Sequence, residues 1–323
     1  MPANHAVAPP PDVVAGLDVS KRMLDVVVLP SGQHSRLPNS PDAHADLVAQ
    51  LRQAGVARVV LEATGGLEYP PAAALAAAGF SVQRVNPERI WAWRRTIGRR
   101  AKTDRLDAEL IARFAQVMPL PERPLPGPHA QAIRALAARR RQLTEMIAAE
   151  KTRLKATWDP AIAQSLRRTI ALLEGECHAV ETALETTIKA DLDSCRRLAL
   201  LLTLPGIGKR IAATLIAEMP ELGMLDRHAA ASLAGLAPHP QHSGSMRPHH
   251  SLRGGRPCLR VALYMAALTA TRCDPTVRAR YLAMLHRGKP KKLALIAIAR
   301  WLITLANQMI RNNQPWAPSS PNP

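Results

Sequence analysis

Residues 118–129 read MPLPERPLPGPH, with five prolines in the run. Each proline locks φ and removes a backbone donor, so the stretch can be neither helix interior nor central strand. It must join parts that fold separately, and 119–128 is read as a linker. The two flanks differ in kind. Before the linker, "DVVAGLDVS" and "MLDVVVLP" have the β-branched density of paired strands. "ARVVLEATG" and "FSVQRVNP" suggest two more, with an alanine-rich helix over 71–78 between them. The mixture predicts an α/β domain over 12–118, preceded by a disordered stretch over 1–11.

After the linker, 129–192 is almost free of glycine and proline, and Trp158-Asp159-Pro160 divides it into two long helices. In the second, Leu166, Ile170, Leu173, Cys177, Val180 and Leu184 recur at alternating steps of four and three, a heptad seam. It predicts an antiparallel helical hairpin or a dimerising coiled coil. Arg139, Arg140, Arg141, Lys151, Arg153, Arg167 and Arg168 decorate these helices, as a solvated face or a binding one. A mainly helical unit follows over 197–312, then a polar, proline-rich tail over 313–323 that is expected to be disordered. "LALIAIARWLITLANQMI" (293–310) has the length of a membrane span. Arg300, Asn307 and Gln308 interrupt it, so it is read as a buried core helix, and no membrane partner is expected.

Charge narrows the partners. Lys+Arg 43 against Asp+Glu 25 gives +18, spread along the whole length. A field of that sign and size attracts phosphate backbones through counterion release. Aromatic residues make up only 3%, too few for binding that rests mainly on base stacking, so a duplex or structured nucleic acid fits better. The four cysteines form no C-x-x-C pair and no zinc spacing, as expected of free thiols in a reducing cytoplasm. The N-terminal residues lack the pattern of a signal peptide.

Four acids stand out. Asp18 closes the first apolar strand and Glu62 the third. In "KTDRLDAELIARFA", Asp104 and Asp107 extend the apolar stripe of Ile111 and Phe114 on a helix that Thr103 or Asp104 can cap. A carboxylate on a buried stripe needs compensation, from Arg100 or Arg105 or from a bound cation. Four converging carboxylates can hold two hard cations. Asp25 is read as a turn or exposed position at the opening of the second strand.

In the last unit, "LLTLPGIGKRIAATLIAEM" has the pattern of a helix-hairpin-helix. Gly206 and Gly208 would bring backbone N–H groups to a phosphate, with Lys209 and Arg210 alongside; the alternative is an ordinary packing turn. Next comes "LAPHPQHSGSMRPHHSLRGGR". Its small hydroxyls are either flexible filler or a nucleophile held where a phosphate arrives. Serine attacks only when a base, a metal or a positive field activates it. Arg247, Arg253 and Arg256 can stabilise charge on a transferring phosphoryl group, and His242 is a candidate base. Gly254-Gly255 before Pro257, at an expected helix start, permits close backbone approach.

Taken together, "AGLDVSK", "LEATGG" and "KTDRLDAELIA" resemble the D-E-D-D set of a RuvC-like, RNase H-like nuclease domain. More closely, they resemble the DEDD transposases of an insertion-sequence family of RNA-guided, bridge-RNA recombinases. The resemblance extends over nearly the whole chain. It implies an RNase H-like N-terminal fold, Mg²⁺ (or Mn²⁺) on Asp18, Glu62, Asp104 and Asp107, and Ser243 as nucleophile through a covalent phosphoserine link. It also implies donor and target double-stranded DNA, a guide RNA, and a dimer or tetramer whose active sites join two subunits. Two rival readings remain: a RuvC-like endonuclease or Holliday-junction resolvase using water, and a non-enzymatic architectural DNA-binding protein.

Overall fold

A computed structural model describes residues 13–98, 103–120, 125–241, 249–252 and 254–317, with backbone alone over 239–241 and 249–252. The chain forms two compact units, Met1–Leu125 and Pro126–Pro323.

The first unit is built on a five-stranded sheet. Its strands are β1 (Val14–Val19), β2 (Met23–Leu29), β3 (Gln33–Pro38), β4 (Arg58–Glu62) and β5 (Ser81–Val85), in the spatial order β3-β2-β1-β4-β5. β1, β2 and β3 pair antiparallel, whereas β4 and β5 continue from β1 in parallel. β3, of sequence QHSRLP, has no counterpart among the four strands expected from the apolar runs. It is a largely polar edge strand held by ladder bonds to β2, so no hydrophobic signal marks it.

Alternation along the strands assigns residues to two faces. Ala15, Leu17, Leu24, Val26, Val59 and Leu61 pack against α1 (Pro41–Gln53) and α2 (Tyr69–Ala77) through Leu47, Leu51 and Leu75. Val14, Val60 and Val85 face the other way. They meet Ile90 of α3 (Pro87–Thr96) and Leu110, Ile111 and Phe114 of α4 (Asp104–Val117). Gly16 sits on this second face. A Cβ there would stand 2.3 Å from the Ala108 carbonyl oxygen and 2.4 Å from the Ala112 nitrogen. The missing side chain lets α4 lie with its backbone against β1, and Val27 and Leu29 of β2 close over Ala108 and Ala112.

The second unit is mostly helical. α5 (Pro128–Ala156) and α6 (Pro160–Ala190) form an antiparallel hairpin. At its tip, Asp159 accepts from the Ala161 and Ile162 amides and Pro160 takes the first helical position, where no donor is needed. The seam residues Leu166, Ile170, Leu173, Cys177, Val180 and Leu184 are the more protected positions of α6. The root of the hairpin does not stand apart from the following helices. Ile133, Ala137, Leu184 and Ile188 share one core with α7 (Leu192–Leu202), α8 (Lys209–Glu218), α9 (Arg227–Leu233), α10 (Pro257–Cys273), α11 (Pro275–His286) and α12 (Lys291–Asn312). α12 runs through that core with Ala294, Ile298, Leu302, Ile303 and Ala306 fully covered. Among the described residues it is the one helix long and apolar enough to cross a membrane. Asn307, buried on this helix, accepts from the Gly223 amide and donates to the Leu225 carbonyl. Between α9 and α10, β6 (Pro238–Gln241) and β7 (His249–Leu252) pair as a two-stranded ribbon.

Gly16→Ala should therefore push α4 off β1 and destabilise the first unit by at least about 2 kcal/mol. Urea unfolding of the variant beside wild type measures this, and a change within a few tenths of a kcal/mol would mean the helix can retreat freely.

Candidate active site

The acids of the first unit lie along one line across the sheet. Arg36 of β3 is opposite Asp25 of β2, and Asp25 is opposite Asp18 of β1. Leu17 pairs with Leu61, so the next residues, Asp18 and Glu62, stand level at the ends of parallel strands. All four project to the face that α4 covers. Thr103 accepts from the Leu106 amide and starts α4 there, which sets Asp104 and Asp107 in the first helical turn above the strand ends.

Burial, and then the charges of Asp107, Glu62, Asp104 and Asp25, push the Asp18 carboxyl up to about 6. The fold thus brings all four predicted carboxylates into one field. Each has distinct partners. Asp107 is 9% exposed and gripped by Arg94 of α3. Asp104 is largely exposed, with Arg36 Nη2 3.3 Å from its Oδ2. Asp25, expected at an exposed position, is instead 4% exposed inside β2. Its carboxylate takes His34 Nε2 at 3.0 Å and Arg36 Nε at 3.5 Å. The β3 ladder covers it, and because β3 has no apolar signature that cover was invisible in the sequence.

Three further residues were missed. Arg36 and Arg94 lie far from the acids in sequence and reach them only through the sheet edge and α3. Glu68, 2% exposed, accepts from the Thr64 and Gly66 amides at 3.2 and 2.8 Å and holds the turn that follows Glu62. "ATGGLE", with its paired glycines and a following acid, is the one signal that pointed to it.

The oxygen-only donor set suits a hard divalent cation, which would relieve the cost that burial and the neighbouring acids place on the charged form of Asp18. Among the described residues, however, no three acids, histidines or cysteines are spaced to hold one ion together. The electrostatics and the spacing differ for a physical reason. Arg94 and Arg36 occupy oxygens of Asp107 and Asp104, so charge has converged without a closed chelate.

In the second unit, His242, Ser243, Arg247 and Arg253 lie outside the described residues, but the root of the ribbon that carries them is well defined. Gly235 and Gly255 both have φ of +67° and lie backbone to backbone: a Cβ on Gly255 would be 2.3 Å from the Gly235 nitrogen. The close approach expected of Gly254-Gly255 is thus made within the chain. Arg260 Nη2 donates to the Gly254 carbonyl at 2.6 Å and Arg300 Nε to the Leu236 carbonyl at 3.1 Å. Arg256, grouped with the phosphate-facing arginines by sequence, closes its fork on Glu221 at 2.9 and 2.7 Å and also donates to the Glu218 carbonyl. Here it is an anchor of the ribbon.

The α7–α8 turn likewise divides its residues between packing and surface. Gly206, at φ +78°, would carry a Cβ 2.2 Å from the Ala266 carbonyl oxygen, so it is required by contact with α10. Gly208 caps α8 with no neighbour within 4 Å of the Cβ position. Lys209 and Arg210 are well exposed, and each holds an acid of α6, Glu185 at 3.0 Å and Glu181 at 2.8 Å.

Residues 15–161 match the DEDD transposase family of IS110, and residues 198–282 match the family described as Transposase IS116/IS110/IS902. Each match covers less than half of the chain, and together they make it similar to the insertion-sequence transposases of IS110. It is 27% identical over 312 residues to the pilin gene-inverting protein of Moraxella bovis, covering 93% of this chain and 96% of that one. It is also 34% identical over 137 residues to an uncharacterized 43.6 kDa protein of insertion element IS110 from Streptomyces coelicolor, covering 42% and 34% of the two chains. The order and polarity of the sheet are consistent with an RNase H-like transposase fold. The matches and the relatives' names are consistent with an enzyme that cleaves and rejoins DNA strands.

The raised Asp18 carboxyl has a consequence for stability. Its folded value of about 6 lies above the ordinary 3.8, so the folded protein holds the proton more tightly and stability falls as pH rises between those values. In EDTA at pH 7.5, Asp18→Asn should stabilise the protein by about 1–2 kcal/mol, after discounting for solvent screening of a partly exposed group. The gain should vanish toward pH 4. Thermal unfolding of both proteins across that range checks the sign.

Proposed function

We propose that this transposase exchanges DNA strands through a covalent phosphoserine link made by Ser243. The observation that carries the reading is the convergence of Asp18, Glu62, Asp104 and Asp107 in one negative field at the sheet's strand ends. The match over 198–282 spans Ser243, and the ribbon bearing it has a root pinned by Arg256, Arg260 and Arg300. A rigid root lets a short tip be held against a substrate at little further entropic cost.

Asp18, Glu62, Asp104 and Asp107 are the oxygens that would hold Mg²⁺, or Mn²⁺ in its place. A bound ion supplies charge neutralisation and polarisation of a phosphoryl group. Arg36 and Arg94 keep Asp104 and Asp107 over the strand ends in its absence, and Glu68 keeps the turn after Glu62 in place. Ser243 Oγ attacks a DNA phosphorus, its proton passing to a base for which His242 is the near candidate, and one DNA oxygen leaves. A second strand's hydroxyl then attacks the phosphoserine and returns Ser243 to its free form. Each step trades one phosphodiester bond for another, so no nucleotide cofactor is consumed. Arg247 and Arg253 stabilise the charge on the phosphoryl group. Gly208, Lys209 and Arg210 grip backbone phosphate, with Gly206 fixing the turn against α10 and the two basic residues exchanging Glu185 and Glu181 for DNA.

Two partners complete the reading. A guide RNA supplies sequence choice by base pairing, following the family resemblance. A second copy of the chain completes each active site, and the α5–α6 hairpin offers the contact. Trp158 at its tip is 91% exposed, Leu172 68% and Ile162 54%, an apolar surface that a lone chain leaves bare. Strand exchange at two sites in one molecule would invert the segment between them, as the name of the Moraxella relative describes.

Denaturing gels of protein, Mg²⁺, flanking transcript and labelled junction DNA should show a covalent protein–DNA adduct in wild type and Ser245→Ala, and none in Ser243→Ala. Cut DNA with no adduct in any of the three would mean that water is the nucleophile. Asp104→Asn/Asp107→Asn should abolish adduct and exchange together, and strand exchange surviving in that double variant would remove the carboxylates from the chemistry. Trp158→Ser/Leu172→Glu should lower the mass measured by light scattering at micromolar protein, and an unchanged mass would move the subunit contact elsewhere.

A further inference from the structure

α3 is a ten-residue helix with three arginines, and two of them have evident internal tasks. Arg94 holds Asp107, and Arg89 lies 5.1 Å over the Phe114 ring against the core. Arg95, in the last turn, makes no ion pair with any described residue. Its guanidinium lies 4.8 Å over the ring of Trp91, one turn back along the helix. Trp91 itself is 58% exposed, although Trp93 two residues later is packed edge-on against Phe114.

Attraction of a cation to the negative end of the helix would explain Arg95 alone. It does not explain an indole left in solvent beneath it. Stacking engages the flat face of a guanidinium and leaves its in-plane N–H fork open, the geometry that suits a phosphate. The aromatic ring orders the arginine in advance and lowers the entropy lost when an anion is gripped. Position supplies the rest. Ile90 and Arg94 point to the core and to Asp107, and Trp91 and Arg95 are the neighbouring stripe of the same short helix, about 100° round it. The stacked pair therefore stands within one helical turn of the arginine that touches the acid set.

We infer that Trp91 and Arg95 form a phosphate clamp on the DNA strand entering the carboxylate site, gripping a phosphate next to the one that reacts. This rests on the strand-exchange reading above and adds a binding site to it. The pair touches DNA and takes no part in proton or phosphoryl transfer. DNA is favoured over RNA because the acids beside the clamp act on a DNA phosphate.

The test is a salt series of DNA affinity with the full-length protein in EDTA, so that no strand is cut, using labelled duplex DNA and, separately, duplex RNA. A lost phosphate contact lowers the slope of log affinity against log salt by about one. Arg95→Ala should show that drop with DNA and bind it about three- to tenfold more weakly, with an unchanged melting temperature. Arg95→Lys, which keeps the charge but not the fork or the stack, should retain the slope and lose about two- to threefold in affinity. Trp91→Ala should weaken binding in the same direction, and Trp91→Phe should restore most of it. An Arg95→Ala slope and affinity equal to wild type would overturn the clamp while leaving the recombinase reading intact. A change with RNA alone would overturn the assignment to DNA. A wild-type protein without salt-dependent DNA binding would instead remove the strand-exchange reading itself.

Discussion

The candidate site depends on one close contact, that between the backbone of α4 and the backbone of β1 at Gly16. Strand ends carry Asp18 and Glu62, but a sheet alone can bring no third or fourth acid over them. Those come from a helix, and a helix normally stands off a sheet by the thickness of two layers of side chains. Removing one Cβ, and lining the helix with Ala108 and Ala112, brings the first turn of α4 down to the strand ends. Burial at the strand end, and then the charges of Asp107, Glu62 and Asp104, raise the Asp18 carboxyl well above the ordinary range.

That concentration of negative charge sits in a chain of net charge +18, and arginine reconciles the two. Arg94 and Arg36 neutralise two of the four acids in the ligand-free protein, so the cluster can fold without leaving every charge uncompensated. In the proposed reaction a divalent ion would take the arginines' place on the acids, and a DNA phosphate the acids' place on the arginines. The same economy recurs in the second unit. Arg256, Arg260 and Arg300 are spent on one acid and several carbonyls around the ribbon's root. A count of basic residues therefore overstates the number free for nucleic acid, and cations such as Arg95 that make no ion pair with a described residue become the informative ones.

Much of the fold was legible because it is written in local periodicity. The strands β1, β2, β4 and β5, the long helices on either side of Trp158-Asp159-Pro160 and the buried character of α12 all follow from spacing and punctuation. β3 was not legible, because an edge strand of polar residues is defined by its neighbour's ladder. Asp25 was misplaced for the same reason: nothing local says that a strand will cover it. Asp18, Glu62, Asp104 and Asp107 were legible as a set because each ends a strand or opens a helix, where side chains converge. Arg36, Glu68 and Arg94 act through partners distant in the chain or across a turn, and no spacing rule reaches them.

By itself the sequence determined the division at the proline run, the α/β and helical characters of the two units, the four acids and the serine-bearing stretch between Leu236 and Arg256. These are properties of composition, period and backbone freedom, and they need no knowledge of what touches what. Only the tertiary structure decided which charges are partnered, since an ion pair depends on distance through space. It turned Arg256 from a phosphate contact into an anchor, Gly206 from a phosphate turn into a packing contact, and Asp25 from a surface residue into a buried member of the acid row. Electrostatic role is a property of the folded neighbourhood, and a linear chain carries only the charges that will enter it.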